Sequence, residues 1–135
     1  FSEWLHVSIA AFTLGTFAVF TIILIPDPID SNIIETSSAA SIDAIDGKKI
    51  FSSKGCVVCH QSVSSSIAPS LVGIYGTERK LASGQSVLAD EEYIRESILW
   101  STAKVSRGYA ASMPGYNDAF TSDEVDKMIA YIKSL

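Results

Sequence analysis

The chain has 135 residues, of which 47% are hydrophobic, so it is long enough for one globular domain of about 100 residues and one additional segment. Acidic residues outnumber basic ones by 15 to 10 and give a formal net charge of −5, which argues against a nucleic-acid partner. Only two cysteines and two histidines are present, which limits the chemistry available to a metal or redox site.

The first predicted element is a membrane-spanning helix. Residues 7–25, VSIAAFTLGTFAVFTIILI, carry no charge, and as a helix they would nearly cross a hydrocarbon core of about 30 Å. A signal peptide fits less well, because no Lys or Arg precedes Lys48 and no small-residue cleavage pattern follows. A buried core helix would need an equally apolar partner, which the rest of the chain lacks. We therefore predict a transmembrane anchor over residues 1–26, in contact with membrane lipid.

A linker is predicted after the anchor. Residues 27–41, DPIDSNIIETSSAAS, are mostly small and polar and have no sustained hydrophobic period. A flexible segment of this length would tether the following domain, residues 42–135, and leave it free to move.

Helix signals occur at three places in residues 42–135. Apolar residues at helical spacing lead into Cys56 and predict a helix of about three turns. Asp90 is a suitable N-cap for a second helix, EEYIRESILW, whose first turn is acidic. Thr121 begins a capping-box pattern for the last helix, in which apolar residues repeat at helical intervals.

Strand signals of comparable strength are absent, so an all-α domain is predicted. Long irregular segments remain at 60–89 and 101–120. Such loops are unusual in a compact domain unless they are organised around something, and a bound cofactor would provide that centre.

The sequence CVVCH, which contains Cys56, Cys59 and His60, carries the chemistry of the domain. A redox dithiol would favour a βαβ unit, which the pattern does not predict, and a zinc site would need further ligands. Two buried thiols beside a satisfied histidine are a third reading. Covalent attachment of one haem c explains all three residues, because both thiols add to the porphyrin and His60 becomes an axial ligand of the iron.

A second axial ligand is expected, and two methionines are available. Met128 lies on the apolar stripe of the last helix, where packing in the core explains it. Met113 stands in a loop, before Pro114, and is the predicted ligand opposite His60. The remaining histidine, His6, lies in the predicted anchor and would need a partner from another subunit to bind a haem.

These residues resemble the pattern of the class I cytochromes c. The matching features are Gly47 and Phe51 on the first helix, CVVCH, Ala68-Pro69-Ser70-Leu71, Gly73-Ile74-Tyr75-Gly76, Met113-Pro114 and Tyr131 on the last helix. Residues 47–135 are similar, more narrowly, to the cytochrome c domain fused to subunit II of some haem-copper oxidases.

The resemblance implies roles for further residues. The Pro69 carbonyl would accept the proton of the proximal imidazole, and the first and last helices would cross near Gly47. Tyr75, Arg79 and Trp100 would contact the haem propionates. The dipeptide that begins at Trp100 is Trp-Ser, where Asn-Pro is often found in the family.

The cysteines of a dinuclear copper centre are missing, so an intact oxidase subunit II is not expected. The chain resembles the membrane-anchored monohaem subunit of bacterial alternative complex III. This resemblance implies an electron carrier rather than an enzyme, with partners among respiratory-complex subunits, oxidases or soluble carriers. The cytochrome domain would lie on the periplasmic or outer side of a bacterial inner membrane. The alternative is a haem enzyme or gas sensor with an open sixth iron position.

Overall fold

The computed structural model of the protein describes residues 31–135 and the side chains from Thr36 onward. The predicted anchor, residues 1–26, lies outside the described residues. Within the described part, no helix combines the length and apolarity needed to cross a membrane. The elements in chain order are α1 (Ser31–Ser53), α2 (Cys56–Cys59), β1 (Glu78–Lys80), β2 (Ser86–Leu88), α3 (Glu91–Leu99) and α4 (Ser122–Lys133).

Helix α1 begins well before the position expected from the sequence. Residues 31–41, where an irregular linker was expected, are helical, and the side chains of residues 36–42 are exposed. Extending an existing helix is much easier than starting one, and alanines at 39 and 40 favour the extension. The packed C-terminal half of α1 therefore supports a helical extension whose described side chains remain exposed.

Helices α3 and α4 begin where their predicted caps stand. The Asp90 carboxylate accepts a hydrogen bond from the Tyr93 amide at 2.9 Å. At α4 the Thr121 hydroxyl accepts from the Glu124 amide at 3.2 Å, and the Glu124 carboxylate accepts from the Thr121 amide at 2.8 Å. The backbone hydrogen bond from Thr121, joined by the one from its hydroxyl, lowers the pKa of Glu124. Both capping patterns are thus confirmed as complete hydrogen-bonded motifs.

The all-α prediction misses one β-hairpin. Strands β1 and β2 pair antiparallel, with Arg79 opposite Val87, and Gly84 in the connecting turn has a φ of 90°. Each strand has three residues, too few for an alternating pattern to be recognised in the sequence. Leu81, directly after β1, is buried in the core and pairs with Ser106. The hairpin therefore holds part of the 101–120 segment.

The core is built mainly from α3 and α4, and α1 packs against it through Ile50. A Cβ at Gly47 would lie 1.9 Å from the Lys127 carbonyl oxygen, so α1 and α4 cross with their backbones almost in contact. Four residues later, the Phe51 ring packs edge-on against Tyr131, with 5.4 Å between ring centroids. The crossing implied by the resemblance is therefore present, and it fixes the end of α1 immediately before the CVVCH sequence.

Candidate functional site

One cavity of about 320 Å³ brings the chemistry-bearing residues of the domain together. Cys56, Cys59 and His60 line it, and so does Met113 from the distant 101–120 segment. Its remaining lining is mainly apolar and comes from α1, α3, α4 and both long irregular segments. The volume is in the range of sites that hold small organic ligands, roughly 300 to 1,000 Å³.

Helix α2 presents the two thiols to this cavity. Gly55, with a φ of 79°, makes the left-handed turn that separates α1 from α2. Because Cys56 and Cys59 are three residues apart in a helical turn, their side chains share one face, whereas the intervening Val58 is 72% exposed. Neither cysteine forms a disulfide. Burial raises the pKa of the Cys56 thiol, which disfavours its thiolate form.

His60 is oriented by a backbone carbonyl. Its Nδ1 lies 2.9 Å from the Pro69 carbonyl oxygen. Because a carbonyl oxygen can only accept, Nδ1 carries the hydrogen, and the lone pair on Nε2 is available to a metal. The Phe51 ring lies 6.5 Å from the imidazole, measured between centroids. The hydrogen bond from His60 Nδ1 to the Pro69 carbonyl is the contact that the resemblance implied.

Serine side chains hold the loop that carries Pro69. The Ser70 amide donates to the Ser64 hydroxyl at 2.9 Å, and the Ser70 hydroxyl donates to the Ser62 carbonyl at 3.0 Å. The Ser65 amide donates to the Ala68 carbonyl at 3.0 Å. These bonds fold the loop back on itself and keep the Pro69 carbonyl directed at His60.

The Met113 loop is attached to the end of α3. The Ser101 hydroxyl donates to the Met113 carbonyl at 2.6 Å. The Tyr116 amide donates to the carbonyls of Ile98 and Leu99 at 3.2 and 3.1 Å. The sequence pattern did not single out Ser101 for this contact, since its partner is a backbone atom and no residue type marks it.

Met128 also lines the cavity, so both methionines of the chain reach the site. It belongs to α4, is 1% exposed and packs in the core with Val125 and Ile129. Met113, in contrast, is half-buried in a loop.

Three predicted contact residues are not part of the cavity lining. Tyr75 is exposed and packs under the Lys133 ammonium, 4.8 Å from the ring centroid. Trp100, just past the end of α3, is 55% exposed. Arg79 is half-buried on β1, and its Nε is buried without a hydrogen-bond partner in the described part of the chain.

The residues at this cavity fit a covalently held haem. Two thiols and an oriented imidazole stand at one place, a thioether lies on the same cavity, and the surrounding walls are apolar. The Ser97 hydroxyl on the lining is buried and has no partner among the described residues, so a polar edge of a ligand would find a donor there. Among the side chains that the structure describes, no three or more His, Cys, Asp or Glu residues come together so that they could hold a metal ion.

Comparison with known proteins agrees with this geometry. The family model described as Cytochrome c matches residues 44–135, which include the whole cavity lining. A search of curated proteins found no match. The matched segment covers more than half of the chain. The chain therefore belongs to the cytochrome c family, whose members bind haem covalently through a Cys-x-x-Cys-His motif and serve in electron transfer.

Proposed function

We propose that the protein is a membrane-anchored monohaem c-type cytochrome that carries single electrons in a respiratory or photosynthetic chain. In this proposal it is a subunit of a quinol-oxidising complex, such as alternative complex III, and delivers electrons to a terminal oxidase. The observation that carries the proposal is that two thiols, an oriented imidazole and a methionine thioether line one apolar cavity.

Each residue has a distinct part in this function. Cys56 and Cys59 would hold the cofactor through thioether bonds, so that it cannot dissociate during repeated transfer. His60 would bind the iron through Nε2, and the Pro69 carbonyl keeps its ring in place. When bound, the haem supplies an iron that changes between ferric and ferrous states by one electron.

Met113 is the proposed second axial ligand. A thioether is a soft ligand and raises the reduction potential relative to a second imidazole, which suits acceptance of electrons from quinol. Met128 is the weaker candidate, because its side chain already fills the core between α4 and its neighbours. If His60 and Met113 both bound the iron, small molecules would find no open site on it, and the protein would transfer electrons without chemistry on a substrate.

A comparison of variants at the two methionines distinguishes electron transfer from the enzyme or gas-sensor alternative. Met113→Leu should abolish the weak long-wavelength absorption band of the ferric protein that reports a thioether on iron, and the reduced variant should bind carbon monoxide. Met128→Leu is the matched control of similar volume and should keep the band. A wild-type protein that lacks the band and readily binds carbon monoxide would favour the haem enzyme or sensor.

Arg79, Tyr75 and Trp100 are proposed contacts of the haem propionates. Arg79 has the strongest support of the three, because its buried Nε would gain a carboxylate partner. Tyr75 and Trp100 rest on the family resemblance alone.

Membrane attachment is proposed from the uncharged segment at residues 7–25. It would keep the cytochrome domain on the outer side of the inner membrane and raise its local concentration at partner subunits. No charged residue occurs from Gly55 to Thr77, so docking of a partner on this stretch would not depend on a basic ring.

Fractionation and co-purification test the anchor and the assembly. We expect the full chain to stay in the membrane fraction after alkaline carbonate washing and to co-purify in mild detergent with companion subunits that let quinol reduce it. A matched chain that starts at Ser31 should be released as soluble holoprotein. Release of the full chain by the wash would contradict the anchor, and purification as a lone subunit without quinol reduction would contradict the complex.

A further inference from the structure

We propose that Ser101 is a positioning residue for the Met113 thioether, acting through the Met113 backbone. The inference rests on the proposed role of Met113 as an axial ligand. It adds a residue that has no direct contact with the iron in this role and that the family resemblance does not assign.

The first observation is the hydrogen bond itself. The Ser101 hydroxyl donates to the Met113 carbonyl at 2.6 Å, a short distance for two uncharged oxygens. Ser101 and Met113 both line the cavity, and both are partly buried, so the bond is shielded from competition with bulk water. The bond joins two residues of the irregular 101–120 segment that are twelve positions apart in sequence.

The second observation is that groups other than the Ser101 side chain donate hydrogen bonds to the backbone carbonyls at the end of α3. The Trp100 amide donates to the Glu96 carbonyl at 2.7 Å, and the Tyr116 amide donates to the last carbonyls of α3. Three of the last four carbonyls of α3 are therefore satisfied without the Ser101 side chain. The hydroxyl is directed to the Met113 loop, where it is the side-chain donor of that contact.

The third observation is that the chain from Met113 to Tyr116 is held at two points. Ser101 holds the Met113 carbonyl, and the Tyr116 amide holds the other end against α3. Between them, Pro114 restricts φ, and a Cβ at Gly115 would lie 3.2 Å from the Leu99 carbonyl oxygen, so the loop backbone lies close against the helix end. Because one of these two bonds is to the carbonyl of Met113 itself, the adjacent Met113 Cα has little freedom, which restricts the direction in which its side chain starts.

The hydroxyl at position 101 is a group that proline would lack. The family resemblance implies that proline often stands at this position, and proline has no side-chain donor. Here the hydroxyl supplies a bond that proline cannot make. Removing the Ser101 hydroxyl should leave the Met113 thioether available as a ligand but weaken the constraint that keeps it at the iron.

Competition with imidazole measures this constraint. Imidazole can bind the ferric iron only when Met113 has left, so its apparent affinity reports how well the thioether is held. Ser101→Ala should raise the affinity of the holoprotein for imidazole about fivefold, as expected for the loss of one ordinary hydrogen bond. The intensity of the thioether absorption band should fall in parallel.

Two further variants separate positioning from general stability. Ser101→Thr keeps a hydroxyl and should restore an imidazole affinity close to that of the wild type. Thr102→Ala removes the exposed hydroxyl of the neighbouring residue and should change neither the affinity nor the band. Thermal unfolding of each holoprotein, followed by circular dichroism, shows whether a variant has merely lost stability.

The outcomes are distinguishable from a failure of the proposed function. If Met113→Leu leaves imidazole affinity and the band unchanged, Met113 is not the ligand and both proposals fall. If Met113→Leu changes them but Ser101→Ala does not, only the role of Ser101 is overturned. A fall in unfolding temperature for Ser101→Ala with unchanged imidazole affinity would also overturn it, since this is the result expected of a purely structural serine.

Discussion

Replacing Cys56 and Cys59 together by alanine is expected to abolish covalent haem attachment. The two thiols are the only cysteines of the chain, and both line the cavity. Without them the haem would be held only by axial ligands and apolar contacts, and it would be lost on denaturation. The measurement is haem staining after a denaturing gel, together with the absorption spectrum of the pyridine complex, which distinguishes haem with vinyl groups from haem with thioether bonds.

Single variants and a surface control refine this experiment. Cys56→Ala and Cys59→Ala should each retain one thioether bond, with a spectrum intermediate between the two limits. Val58→Ala changes an exposed side chain between the cysteines and should leave attachment unchanged. Haem that stays bound to the double variant on the denaturing gel would show that other residues attach it and would remove the basis of the proposed site.

Gly47→Ala is expected to cost about 3 kcal/mol or more of unfolding free energy. The added methyl group would lie 1.9 Å from the Lys127 carbonyl oxygen and 2.5 Å from its carbonyl carbon. Both are backbone atoms, so relief requires α1 and α4 to move apart, and the packing of Phe51 against Tyr131 would be lost with it. Guanidinium unfolding of the holoprotein, extrapolated to water, provides the measurement.

The sign of the change in unfolding free energy on Gly47→Ala tests how closely α1 and α4 approach each other. In an unobstructed helix, replacing glycine by alanine stabilises by about 1 kcal/mol, because alanine has the higher helix propensity. Lys48→Ala, at the next and exposed position of α1, serves as a control and should change stability little. A neutral or stabilising effect of Gly47→Ala would mean that the two helices do not approach as closely as described.

The parts of the fold that the sequence predicts well are those with local chemical causes. Asp90 and Thr121 begin α3 and α4 because their side chains bond to the amide three residues further on, and such bonds depend on neighbouring residues alone. The start of α1 was misplaced because residues 31–41 are helical by extension from a packed segment. The hairpin was missed because its three-residue strands leave no pattern, and Leu81 is placed by tertiary packing.

The same distinction applies to the site. The spacing of Cys56, Cys59 and His60 predicts attachment chemistry directly, since all three act from one short stretch. Met113 could be selected by its loop position, and the structure brings it to the same cavity. The contact of Ser101 with the Met113 carbonyl was not predictable, because it depends on how two irregular stretches of the backbone are placed next to each other. Tyr75 and Trp100, carried over from the family, lie outside the cavity lining.

The close approach of Gly47 to Lys127 also bears on the order in which the domain forms. It joins the beginning of the domain to its last helix, and contacts between positions so far apart in sequence form slowly because a long loop must be closed. During synthesis, α4 is made last, so the CVVCH segment emerges before the helix that closes the core over it can dock. The thiols therefore emerge before Lys127 is available to close the core over them, which leaves an interval in which a cofactor can be attached to an open chain.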